Sequence, residues 1–101
     1  MHVLHYLQHI HYKVVGRGPM TLYNFTGTYV FDLKMAIKEQ SQLPYPPDII
    51  KLSAGKHNEA KEDLDELQKV FRKGKSFDLS RLVKEYEIDV DNPISVELPG
   101  K

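Results

Sequence analysis

Pro44, Pro46 and Pro47 follow directly on a helical apolar pattern, and they constrain this chain more than any other residues. Val30, Leu33 and Ile37 recur at spacings of three and four, which lays one apolar stripe along a helix read from Val30 to Gln40. Proline lacks the amide hydrogen that a helix interior needs and clashes with the preceding turn, so the helix cannot run on. Ile49 to Leu52 then reads as a short strand, with Ala54-Gly55-Lys56 as its exit turn.

Upstream, Leu4, Tyr6, Ile10, Tyr12 and Val14 share one parity, with Gln8 the exception, while His5, His9, His11 and Lys13 share the other. A period of two describes a half-buried strand. Gly16-Arg17-Gly18-Pro19 breaks it as a hairpin turn, and Met20 to Phe25, rich in β-branched and aromatic residues, returns. Thr28 is the expected N-cap of the helix. Asp32 and Lys38 lie at the ends where the helix dipole favours each sign. The stripe of Val30, Leu33 and Ile37 is expected to meet Tyr6, Ile10 and Val14 in the core.

Residues 57–75 read as a helical insert. Leu64, Leu67 and Phe71 form its stripe, Glu59, Glu62 and Asp63 cluster at its start, Lys69, Arg72 and Lys73 near its end, and Gly74 can stop it. Asp78 is placed to cap a second short helix carrying Leu79, Leu82, Val83 and Tyr86. Asn92-Pro93 is a turn, and Ile94, Val96 and Leu98 alternate as a closing strand. The expected fold is α+β, with residues 1–101 as one domain. A mixed sheet carries one main helix across a face, and a helical insertion precedes the last strand.

Lys plus Arg and Asp plus Glu both number 14, so no net charge steers the chain to nucleic acid or anionic lipid. It has no cysteine, which removes disulfides and thiol chemistry and fits a reducing compartment, cytoplasmic or nuclear. The N-terminus has no signal-peptide pattern, and no stretch approaches the ~20 apolar residues of a membrane span. A monomer without a cofactor is expected.

Pro46-Pro47-Asp48, a short strand and then Ala54-Gly55-Lys56, all following a helix, resemble the ubiquitin superfamily. Tyr86-Glu87-Ile88 ahead of the last strand is similar to its Tyr-Asn-Ile. The resemblance covers about residues 9–99 and implies a β-grasp fold that works by being recognised. Within the superfamily the chain looks most like the DWNN domain, through His11-Tyr12-Lys13, Phe25-Thr26-Gly27, Val30-Phe31-Asp32-Leu33-Lys34 and Asn92-Pro93-Ile94-Ser95-Val96. It has no Trp, so the eponymous motif is missing, and its insert is long. Asp32-Leu33-Lys34-Met35-Ala36-Ile37-Lys38 is also similar to the N-terminal ubiquitin-like domain of Crinkler-type effectors. The DWNN resemblance implies a module of mRNA 3′-end processing or of a ubiquitin-ligase scaffold, N-terminal in a larger protein.

Recognition of that kind uses the sheet, and the Ile49 to Leu52 strand would supply its centre. If Ile50 and Leu52 face the core, Lys51 faces out. Counting back from Ala-Gly-Lys exposes Leu52 instead, because the segment between Asp48 and Gly55 is one residue shorter than in ubiquitin. A one-residue slip turns every side chain over, so both registers stand. Lys51, Leu52 and Lys56, with Arg72 and Lys73 from the insert, are the candidate protein-binding residues.

Other chemistries have thinner support. A covalent modifier needs a free Gly-Gly tail, whereas this chain ends Leu98-Pro99-Gly100-Lys101. Nucleic-acid binding would rest on Arg72-Lys73-Gly74-Lys75 with Arg81 and Lys84, a run that equally suits a helix C-terminus. His9 and His11 could reach one metal, but no Asp, Glu or Cys lies close in sequence to complete a site. Gly16-Arg17-Gly18 lacks the third glycine of a nucleotide loop, and no nucleophile with a positioned base is legible, so no catalysis is expected.

Overall fold

The alternation at the start of the chain becomes strand β1 (Gln8–Val14), which buries Ile10, Tyr12 and Val14 and turns His9 and Lys13 to solvent. The computed structural model describes residues 8–27, 29–56, 59–74 and 79–99, with backbone alone at 8, 70–74 and 79–81. Leu4, His5 and Tyr6 lie outside these residues. Strand β2 (Pro19–Phe25) returns antiparallel, with Ile10 opposite Leu22 and Tyr12 opposite Met20. Pro19 is tolerated because it opens a strand at the edge of the sheet. An irregularity next to Asn24, whose φ is 58°, gives β2 one extra residue. That bulge lets Leu22 and Phe25, three apart, both point into the core.

Gly27 leads into helix α1 (Val30–Ser41) where a Cβ would lie 2.4 Å from the Phe25 ring and 2.7 Å from Asp32 Cβ, so only glycine fits. The N-cap position falls on Tyr29, and Thr28, the expected cap, lies outside the described residues. Asp32 accepts a hydrogen bond from the Tyr29 amide at 3.0 Å, satisfying one terminal donor. Val30, Leu33 and Ile37 are fully buried against the sheet. The helix ends at Gln42 in the left-handed region, with Leu43 N–H bonding the Lys38 carbonyl at 3.0 Å and Gln42 N–H the Glu39 carbonyl at 3.3 Å. This is a Schellman stop with Gln in the glycine position.

Pro47–Ile49 form a 3-10 turn, so Ile49 is not in the strand expected from the sequence, and strand β3 (Lys51–Ala54) starts two residues later. The turn satisfies its own amides, with Ile49 N–H bonding the Pro46 carbonyl and Ile50 N–H the Pro47 carbonyl. Glu62 and Asp63 correct a second expectation. Rather than beginning a helix, they form strand β4 (Glu62–Asp63), with Ser53 opposite Asp63. Gly55 permits this, since a Cβ there would lie 2.6 Å from the Ala60 carbonyl oxygen.

Helix α2 (Leu64–Gly74) follows at once, capped by Asp63 accepting from the Asp65 amide at 2.8 Å. Leu64 and Leu67 are buried as the stripe predicts, and the side chain of Phe71 lies outside the described residues. Helix α3 (Leu79–Glu85) carries Leu82 into the core, and Asp78, its expected cap, is not among the described residues. Asn92 gathers the chain beyond it, donating from Nδ2 to the carbonyls of Gly55, Tyr86 and Glu87 at 2.8, 3.0 and 3.2 Å.

Strand β5 (Ile94–Glu97) lies parallel to β1 and antiparallel to β3, giving the sheet order β2-β1-β5-β3-β4. The fold is therefore α+β, a five-stranded mixed sheet with a main helix packed against it and helices before the last strand. Among the described residues no helix is long and apolar enough to cross a membrane.

Candidate docking surface

The 3-10 turn sets the phase of β3. Ile50 and Leu52 point into the core, 1% and 0% exposed, and Lys51 points out. Leu52 is thus removed from the candidate surface. It sits opposite Val96 of β5 on the face that α1 covers, and alternation along the strand leaves it no route outward. Lys51 keeps its place at the surface, directly opposite Glu97.

Lys51 lines a cleft of about 340 Å³ where α1, the 3-10 turn, the start of α2 and the end of β5 converge. Asp48 and Ile49 line it from the turn, Ile50 from just past it, Asp63 from β4, Asp65 from the first turn of α2, and Glu97, Leu98 and Pro99 from the end of β5 and just beyond. Lys34 of α1 closes its side, almost wholly buried, with Nζ donating to Asp65 Oδ2 at 2.6 Å. A buried ammonium is tolerable only with such a partner. The charged side-chain ends of Asp48, Lys51 and Glu97 make no hydrogen bond or ion pair with other described residues. Ile49 contributes an apolar surface, 46% exposed, beside half-buried Leu98 and exposed Pro99.

The other candidates fall elsewhere. Lys56 is exposed past the far end of β3, a strand about 10 Å long by its rise per residue, and does not line the cleft. Arg72 and Lys73 belong to the last turn of α2, with side chains outside the described residues. Of the cleft's lining, sequence reasoning named only Lys51 as a binding residue, because only the folded chain brings these separate elements to one place.

His9 and His11 each turn toward β2. His9 Nδ1 accepts from the Asn24 amide at 3.4 Å, and its ring meets Tyr23 edge-on at 5.0 Å. His11 Nδ1 lies 3.0 Å from Thr21 Oγ1. Among the described residues no three His, Cys, Asp or Glu are placed to hold a metal. Phe31 and Met35, one turn apart on α1, leave about half their surface in solvent.

Tyr86, half-buried, donates to Glu62 Oε1 at 3.4 Å. Burial, and then the charge and hydrogen bond of Glu62, push its phenol above the ordinary value. No curated protein and no solved structure matches this chain. Residues 8–99 match the model of a domain of unknown function, DUF8732, and the chain belongs to that family.

Proposed function

We propose that this chain is a non-catalytic, ubiquitin-like docking domain that binds another protein at the cleft beside Lys51. The observation that carries this reading is the lining itself. Exposed Ile49 and Pro99 and half-buried Leu98 stand among Asp48, Lys51 and Glu97, whose side chains have no partner among the described residues. A concave site that sets apolar side chains among unspent charged ones offers a partner both contact area and polar anchoring points. The order of elements supports the ubiquitin-like part. A hairpin, a helix across one face, a short strand, an insert and a closing strand are what the superfamily resemblance implies. A setting in mRNA 3′-end processing or a ubiquitin-ligase scaffold rests on the DWNN resemblance.

The test is a photo-cross-linking residue placed at Ile49, with a second chain carrying it at Val90, which is 63% exposed and does not line the cleft. Irradiation in lysate of the source organism should give a discrete adduct from position 49 and none from 90. Equal adducts from both positions, or a discrete adduct only from a probe at Phe31 or Tyr23, would sink the cleft reading.

A further inference from the structure

We infer that the occupant of this cleft is a peptide segment carrying one arginine or lysine beside an apolar residue. The inference rests on the cleft being the docking site. Four carboxylates, Asp48, Asp63, Asp65 and Glu97, line it against the two ammonium groups of Lys34 and Lys51. Lys34 and Asp65 neutralise one another at 2.6 Å, and Asp63 accepts from the Asp65 amide as a helix cap.

Asp48 and Glu97 remain, exposed and without a hydrogen-bonding or ionic partner among the described residues. The chain as a whole has 14 acidic and 14 basic residues, so this excess of negative charge is local to the cleft rather than a property of the entire surface. Both carboxylates sit on stiff backbone, Asp48 in the proline-started 3-10 turn and Glu97 at the end of β5. A cation meeting both would gain attraction with the backbone already in place, ordering only the two side chains.

The apolar neighbour follows from Ile49, Leu98 and Pro99, which share the lining with those carboxylates. Lys51, opposite Glu97, offsets one of these two remaining carboxylates, so a single cation balances the cleft.

The experiment uses the whole chain, labelled with ¹⁵N, and three sets of eight-residue peptides. One set has a single Arg or Lys among apolar residues, one has Asp or Glu in its place, and one is uncharged. The basic set should shift the amides of Ile49 to Lys51 and of Glu97 and Leu98. Its affinity should fall by about tenfold in the Asp48→Asn, Glu97→Gln double variant and should weaken with added salt. Both positions are exposed, so the variant keeps the fold, which the untouched core amides report.

Acidic or uncharged peptides shifting the same amides as strongly would overturn the partner chemistry and leave the docking reading intact. Basic peptides that bind the double variant equally well would also overturn it. If no set moves the cleft amides, the inferred occupant is wrong, and the cross-link from position 49 separately decides whether the cleft docks anything.

Discussion

Gln42 and Glu87 hold φ at 54° and 53°, a left-handed conformation in which any Cβ crowds the following carbonyl. Each follows a helix and each is succeeded by a buried residue, Leu43 and Ile88, whose amide closes the last turn onto the carbonyls of Lys38 and Val83. Without glycine at either place, neither helix stop was legible in the sequence beyond the prolines after Leu43. Gln42→Gly should relieve the crowding and raise stability by about 0.5–1 kcal/mol, read as a higher urea midpoint at unchanged slope. Gly55→Ala should do the opposite, because the added methyl meets backbone at Ala60 rather than a side chain that can swing away. A loss of about 1–3 kcal/mol is expected, with faster amide exchange at Glu62 and Asp63 as β4 is pushed off β3.

Among elements, α2 shows most clearly what a pattern can and cannot say. Its stripe of Leu64 and Leu67 announced a helix, and both residues are buried. A strand of two residues has no period, so β4 ahead of it was invisible. The docking of α2 on α1 was invisible too, since it depends on residues 31 and 38 positions apart. Asp65 meets Lys34, and Gln68 Oε1 accepts from the Val30 amide at 2.7 Å, covering a terminal donor of α1. Removing one partner of the ion pair differs from removing its charge. Lys34→Met keeps the stem packed and should change stability by less than about 1 kcal/mol. Asp65→Asn leaves the buried ammonium without a counter-charge and should cost about 1–2 kcal/mol, less than in a fully buried pair because Asp65 is half exposed. Urea unfolding of both variants and the double variant checks the order.

For the molecule as a whole, Tyr86 ties the α3 end of the chain to β4, and its titration should appear in global stability. Its folded-state value is raised, so the protonated phenol is favoured by folding. That contribution is complete below the unfolded value of about 10 and is lost as pH rises through the raised one. The stability difference between the native chain and Tyr86→Phe should be flat from pH 7 to 9 and shrink above about 10, measured by urea midpoints at each pH. A flat difference to pH 11 would show that Glu62 and burial do not act on this phenol. By itself the sequence determined the strand and helix faces, because alternation at Ile10, Tyr12 and Val14 and three-four spacing at Val30, Leu33 and Ile37 are local consequences of backbone geometry. Its prolines also determined that α1 cannot run past Leu43. Only the tertiary structure decided that Leu52 faces inward and Lys51 outward, because the phase of β3 depends on the 3-10 turn before it and on strands β5 and β4 on either side. Only it decided the cleft, because Asp48, Asp65 and Glu97 come from separate elements that meet when the core closes beneath them.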